Sequence, residues 1–263
     1  MKIENKHLCE SYMPRKKQSP KNMKHGGTSW SHENAIRYYS SHRNSVADTY
    51  ESEQFFLSRL LKPGHSILDI GCATGGFYNI FKEYEPTISY TGVDISPVMI
   101  EQGRTLHPGI RFEVADGENL PFENNSFDIV FIAGALHMAP NWREILAEGW
   151  RVSKQYFVFD VRLKNDSPTI EDIRQSFEKI AFSGQWDGKT IVPYIIIDVM
   201  TFKKTLDALQ PAPSVQQIHG YYHPVSEMTV TSEKEVCMTM CCLIKQRKDG
   251  AQNLWDIPIK CPY

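Results

Sequence analysis

The residues whose types and spacing could do chemistry are three aspartates, a glycine-rich turn and a histidine. The stretch Ile67-Leu68-Asp69-Ile70-Gly71-Cys72-Ala73-Thr74-Gly75-Gly76 is an apolar run that ends in glycines and passes straight into a helical pattern. That order reads as strand, tight loop and helix N-terminus. Gly71 and Gly75 lack a Cβ, so the backbone can take positive φ and bring its N–H groups close to a ligand, while the following helix directs its positive end at the same spot. Two further acids follow the next two strand-like segments. Ser89-Tyr90-Thr91-Gly92-Val93 ends in Asp94, and Ile110 to Ala115 ends in Asp116, beside Gly117. With Asp69, three carboxylates then stand at or near the C-terminal ends of three successive strands, the edge at which open α/β sheets bind ligands. Each has a plain structural alternative. A glycine-rich bend needs no ligand, Asp94 before Ile95-Ser96-Pro97 favours a helix start, and Asp116-Gly117 makes a turn.

The elements that must position these groups follow from periodicity. Phe55, Phe56, Leu57, Leu60 and Leu61 line a helix that starts at Tyr50 and stops at Lys62-Pro63-Gly64. After Gly76 a helix runs through about Tyr84, and Ser96-Pro97 reads as an N-cap with proline in the first turn of a helix reaching about Leu106. Phe127 to Ile132 is a fourth strand. Asn141 and Glu144 have the spacing of a capping box, and Trp142, Ile145, Leu146 and Trp150 mark the buried stripe of the next helix. A fifth strand spans Tyr156 to Val161, joined to that helix by Ser153-Lys154-Gln155. This alternation implies a parallel sheet with right-handed crossovers. It stops between Val161 and Ser214. There the spacing of Ile170, Ile173, Phe177 and Ile180 predicts a helix, an apolar stretch covers Ile191 to Ile197, and a second helix covers Met200 to Leu209. Ser214 to Tyr221 and Val236 to Ile244 are the final strands.

The motifs D-I-G-C-A-T-G, G-V-D-I-S-P, A-D-G-E-N-L-P-F and F-D-I-V-F, in this order, resemble those of class I S-adenosylmethionine-dependent methyltransferases, from about Tyr50 to Lys245. The resemblance implies a doubly wound α/β fold with a mostly parallel seven-stranded sheet, an antiparallel C-terminal strand pair and a helical insertion after the fifth strand. It also implies S-adenosylmethionine as cofactor and S-adenosylhomocysteine as product. A carboxylate accepts both hydroxyls of a vicinal diol, so Asp94 would hold the ribose. By the same resemblance Asp116, with Gly117, would meet the adenine amine, and Asp69 would orient the methionine ammonium through water. Backbone groups at Gly71, Cys72 and Ala73 would line that end, with Gly75 completing the turn, and Ile95 and Met99 would flank the adenine. Ala133 and Gly134 leave room for the sulfonium and an approaching nucleophile.

A sulfonium is a good leaving group, so lining up nucleophile, methyl and sulfur supplies most of the catalysis. A hydroxyl nucleophile still needs a base, and His137, five residues beyond Ile132, is the best-placed candidate. Its plain alternative is a hydrogen bond to a backbone carbonyl. His219, Tyr221, Tyr222 and His223 form a second polar and aromatic cluster with a weaker claim. The N/D-P-P-Y/F motif of enzymes that methylate nucleic-acid bases is missing, and no basic, aromatic-rich appendage points to nucleic acid. Histidine and cysteine spacing gives no metal site. The acceptor expected is small or medium-sized: a sugar or polysaccharide intermediate, or a natural product, methylated on oxygen or nitrogen.

The 263 residues carry a formal charge of −2, which favours neither nucleic acid nor membrane. The longest apolar run, Ile129 to Leu136, falls well short of the roughly 20 residues of a membrane span. No secretory signal is evident, and six cysteines without C-x-x-C spacing read as reduced thiols of a cytoplasmic protein. Residues 1–29 form a flexible tail, with seven Lys or Arg against two Glu in the first 26. Residues 30–247 make the methyltransferase domain. Within it 30–49, with His32, Tyr38, Tyr39 and His42, are either a lid over the cofactor or a helix packed by its aromatic face, and 162–213 are by the same resemblance a substrate roof, with a partner surface or a mere elaboration of the fold as the alternatives. Residues 248–263 read as a tail held only by Leu254, Trp255, Ile257 and Ile259. Two other functions stay open. Gly71-x-Ala73-x-x-Gly76 with Asp94 fits a variant dinucleotide fingerprint of an NAD-dependent oxidoreductase, and the pocket could bind S-adenosylmethionine without turning it over.

Overall fold

The computed structural model describes residues 33–181, 185–247 and 250–259. The basic N-terminal stretch, with His32, therefore lies outside the described residues. Two helices, α1 (Glu33–Ser41) and α2 (Glu51–Leu60), precede the alternating part. That part runs β1 (Ser66–Ile70), α3 (Gly76–Tyr84), β2 (Ser89–Asp94), α4 (Pro97–Leu106), β3 (Arg111–Val114), β4 (Phe127–Ile132), α5 (Trp142–Val152) and β5 (Ser153–Lys164). Next come β6 (Phe177–Lys179), β7 (Ile191–Pro193), β8 (Ile197–Asp198), α6 (Val199–Asp207), β9 (Val215–Pro224), β10 (Thr229–Val230), β11 (Glu235–Ile244) and β12 (Leu254–Asp256).

The main sheet has the order β12-β9-β11-β5-β4-β1-β2-β3, with β8 paired to the end of β5. Strands β1 to β5 are parallel, and β11 inserts antiparallel between β5 and β9. The expected seven strands are present, and β8 and β12 are additions. An antiparallel strand beside β5 separates this sheet from the all-parallel dinucleotide order. The chain leaves β1 in one direction for β2 and β3 and in the other for β4, so the crevice of the fold opens beyond the C-terminal ends of β1 and β4.

Alternation along each strand divides the core into two layers. Leu68, Val130, Ile132, Phe157 and Phe159 pack with Trp142, Leu146 and Trp150 of α5 and Phe202 of α6. Ile67, Ile129, Phe131 and Val158 pack with Phe56 of α2, Phe81 of α3 and Ile100 of α4 on the other face. Cys241 and Cys242 fall in opposite layers, and with Cys72 and Cys237 they are free, buried thiols.

Several local expectations change. No helix forms over Ile170 to Ile180. Ile170 bridges Ile196 through backbone bonds of 2.8 and 3.1 Å, Asp172 closes a turn by accepting from the Arg174 N–H at 2.9 Å, and Phe177 opens strand β6. Long-range pairing overrides a three-and-four spacing that four residues cannot make decisive. The insertion is thus partly β: β6, β7 and β10 form a separate three-stranded antiparallel sheet, with β10 supplied by the β9–β11 connection. β5 begins at Ser153, so the expected join is already strand. Asn141 occupies the N-cap of α5 without capping it, because its amide donates to Glu118 instead. Ser96 does cap α4, accepting from the Met99 N–H at 3.4 Å. Near the C-terminus β12 pairs parallel with β9, where Trp255 and Ile257 pack on the core and Ile259 is buried.

Candidate functional site

One cavity of about 1160 Å³ sits at the crevice. That exceeds the roughly 300–1,000 Å³ of ordinary small-molecule pockets, leaving room for two ligands side by side. Its floor is the strand edge. Gly71, Cys72, Ala73, Asp94, Ile95, Met99, Asp116, Gly117, Ala133, Gly134 and His137 all line it, so eleven of the thirteen residues singled out in the sequence converge there. Gly71 takes φ 74°, and Ala73 takes φ 48° without being glycine. Asp94 holds this turn open: Oδ2 accepts the Ala73 N–H at 3.0 Å and Oδ1 accepts the Ser96 N–H at 2.8 Å. Each oxygen keeps a lone pair, as a diol would require. Burial raises the Asp94 pKa, and the two backbone N–H groups oppose that. Asp116 accepts from the Glu118 N–H at 3.1 Å and otherwise faces the cavity. The donor set fits S-adenosylmethionine: a carboxylate with spare acceptor capacity, a tight glycine turn, a second acid further along, and small residues at Ala133 and Gly134.

Asp69 and Gly75 do not line the cavity. Strand alternation turns Asp69 away from it, onto the layer of α3 and α4. There it is 2% exposed and accepts from the Tyr90 hydroxyl at 2.7 Å. Burial raises its pKa to about 7, with the Tyr90 bond opposing. The folded state therefore holds a proton that the unfolded chain releases near pH ~4, and stability should fall as pH rises from ~4 through ~7. Asp69→Asn keeps an acceptor for Tyr90 without the charge. Over that interval its stability relative to wild type should improve by on the order of 4 kcal/mol, read from denaturant unfolding at several pH values. Gly75, at φ 88°, serves packing: a Cβ there would lie 2.6 Å from Phe112 Cζ.

The walls come from segments the sequence marked and from one it did not. Tyr38, Tyr39, His42 and Arg43 line the cavity from α1 and the following loop. The Arg43 guanidinium lies 4.8 Å from the Phe77 ring centre and bonds Glu53. Opposite them the roof presents Ile173, Ile180, Ile191, Val192, Pro193 and, from the β9–β11 connection, Met228, interspersed with the charged Glu171, Asp172, Arg174, Glu178 and Lys179.

His137 is the candidate base, and its surroundings weigh against that role. It is 7% exposed, and its Nδ1 has no hydrogen-bond partner among the described residues. Burial and then the Arg162 charge push its pKa down to about 3, with Asp160 opposing. Such an imidazole stays neutral and takes a proton poorly. The expected alternative, a side-chain bond to a carbonyl, is also not observed at Nδ1. Its ring packs against Tyr194, 5.4 Å between centres.

Sequence reading missed Asp160 and Arg162, buried at 7% and 8% exposure on β5. The Arg162 Nη1 donates to Asp160 Oδ2 at 2.7 Å, and Asp160 Oδ1 accepts the Gly134 N–H at 2.7 Å. Burial disfavours the Asp160 charge, yet Arg162, His137 and the Gly134 N–H hold its carboxyl below the usual range. Burial likewise disfavours the charge of Arg162, but Asp160 and Tyr194 hold it above its ordinary value. The i, i+2 spacing of these two charges in an apolar strand was the one available signal. Among the described residues no group of side chains could hold a metal ion, and no helix is long and apolar enough to cross a membrane.

Comparison with known proteins agrees with this geometry. Residues 67–156 match a family model described as a methyltransferase domain. A phthiotriol/phenolphthiotriol dimycocerosates methyltransferase of Mycobacterium leprae is 40% identical over 91 residues, covering 34% of each chain. A demethylmenaquinone methyltransferase of Staphylococcus aureus is 29% identical over 154 residues, covering 55% of this chain and 63% of that one. The chain thus spans about a third to somewhat under two thirds of the length of these curated relatives. A solved S-adenosylmethionine-dependent methyltransferase of Methanosarcina mazei shares the fold, with a TM-score of 0.52 and 20% identity over 76% of this chain and 99% of that one.

Proposed function

We propose that this chain, whose residues 67–156 match a methyltransferase-domain model, is a class I S-adenosylmethionine-dependent methyltransferase that transfers methyl to a small or medium-sized, largely apolar acceptor. One observation carries this reading: the glycine turn, Asp94 and Asp116 share a single cavity that continues under a roof with an aliphatic patch of Ile173, Ile180, Ile191, Val192 and Met228. In it Asp94 binds the ribose diol, Asp116 with Gly117 meets the adenine, Ile95 and Met99 flank the ring, and the Gly71 to Ala73 backbone receives the methionine end. When bound, S-adenosylmethionine supplies an electrophilic methyl on a sulfonium. Ala133 and Gly134 leave the approach to it open, and the Asp160 bond to Gly134 fixes that turn. The α1 segment serves as a lid over both ligands.

A sugar demands many hydrogen bonds, and the roof sets Ile173, Ile180, Ile191, Val192 and Met228 beside charged groups of which Glu171, Asp172 and Arg174 are already spent on ion pairs. Of the two classes expected from the sequence, the natural product is therefore favoured over the saccharide. The names of the mycobacterial and staphylococcal relatives, which point to dimycocerosate and menaquinone pathways, support a non-saccharide acceptor without fixing it. The test is transfer of labelled methyl from S-adenosylmethionine to a panel of apolar alcohols, phenols and amines, with matched sugars alongside. Label in the apolar set supports the proposal. Label confined to sugars would reverse the acceptor class.

A further inference from the structure

The carboxylates lining the cavity are distinguished by their partners. Asp94 and Asp116 belong to the cofactor end. Glu171 is held by Arg143 at 2.7 Å and by the Trp142 indole N–H at 3.0 Å, and Asp172 is held by Arg174. Glu178, at the centre of β6, lines the cavity too, yet among the described residues its carboxylate accepts no hydrogen bond and contacts no cation. Its backbone is fixed on both sides, by Val192 of β7 and Thr229 of β10. A carboxylate beside the aliphatic patch of the roof is costly to leave unpaired, and such groups mark functional positions. Burial raises its pKa, opposed by the charge of Arg162, so it is more basic than an ordinary carboxylate.

From the unpaired carboxylate that Glu178 presents to the cavity, we propose that Glu178 receives the nucleophilic hydroxyl of the acceptor, an apolar alcohol or phenol. His137 lines the same cavity, but its partnerless Nδ1 is closed off from solvent and takes no part in the subsite. The inference rests on the methyltransferase reading and adds the acceptor's functional group. A carboxylate would favour the protonated form of an amine, which has no lone pair to offer, whereas it accepts the proton of a hydroxyl. The O–H bond breaks, its electron pair stays on the oxygen that bonds the methyl carbon, and the pair of the broken carbon–sulfur bond leaves on S-adenosylhomocysteine. The proton resides on Glu178 until it is lost to water.

The probe pair is thymol, an apolar phenol, and its methyl ether, titrated calorimetrically into protein saturated with S-adenosylhomocysteine. Wild type should bind thymol about tenfold more tightly than the ether, the effect of one hydrogen bond to a charged group. Glu178→Leu should abolish the preference while binding S-adenosylhomocysteine as wild type does. If that variant fails to hold S-adenosylhomocysteine, the isosteric Glu178→Gln replaces it, with the preference cut to about threefold, since a neutral acceptor is weaker. Absence of thymol binding or of the preference in wild type overturns the inference, as does a preference unchanged in the variant. Wild type that binds no S-adenosylhomocysteine would instead remove the methyltransferase reading, and this subsite with it.

Discussion

Replacing Arg162 by Met should cost the folded state about 3–5 kcal/mol and lower the thermal midpoint by roughly 6–20 °C. The guanidinium is buried against Asp160 with a 2.7 Å bond, and Asp160 spends its other oxygen on the Gly134 N–H. Removing the cation leaves an uncompensated carboxylate in the core, the expensive way to break a buried pair. Removing both charges is cheaper. Asp160→Asn combined with Arg162→Met should be more stable than Arg162→Met alone, a coupling that a double-mutant cycle reads directly. The surviving folded Arg162→Met protein should also lose methyl transfer more than cofactor affinity, because the proposed site puts Gly134 at the approach to the methyl and not under the adenosine. A thermal midpoint within about 2 °C of wild type would show that the pair is not a structural keystone.

Asp94→Ala should weaken S-adenosylhomocysteine binding by about a hundredfold or more. Two charge-assisted hydrogen bonds to a diol are worth about 1.5–3 kcal/mol each, and every 1.4 kcal/mol is a factor of ten. The same substitution removes the two acceptors that hold Ala73 and Ser96, so part of the loss arises from a looser turn. Thermal unfolding separates the contributions. A folded variant with a near-native midpoint and hundredfold weaker binding assigns the loss to the diol contact. Unchanged affinity would return Asp94 to a purely structural role as the residue that pins the turn.

The part of this protein that was legible in its sequence is the part governed by local pattern. Alternating apolar strands, the Ser96-Pro97 helix start and the glycine turn each have a short-range cause, and they place Asp94 and Asp116 on one strand edge. What escaped was set by distant pairing. Phe177 and Ile180 have helical spacing, but β7 and β10 flank β6 and make it a strand. Leu254 to Asp256 look like tail until β9 offers an edge. Asp69 is in the right motif, yet strand parity turns it toward Tyr90 and away from the cavity. His137 was chosen for its position after β4, whereas its basicity is lowered first by its own burial and then by Arg162, a residue 25 positions later, and no periodicity announces either. Glu178 was passed over for the same reason: in a presumed helix it had no site to face.

The central claim is that the glycine turn and the acids around it hold S-adenosylmethionine, and the most direct measurement is calorimetric titration of the wild-type protein with S-adenosylhomocysteine, in parallel with NAD. The account predicts saturable one-site binding in the micromolar range or tighter for S-adenosylhomocysteine and no heat of binding for NAD. Binding of NAD in its place, or of neither, would contradict it.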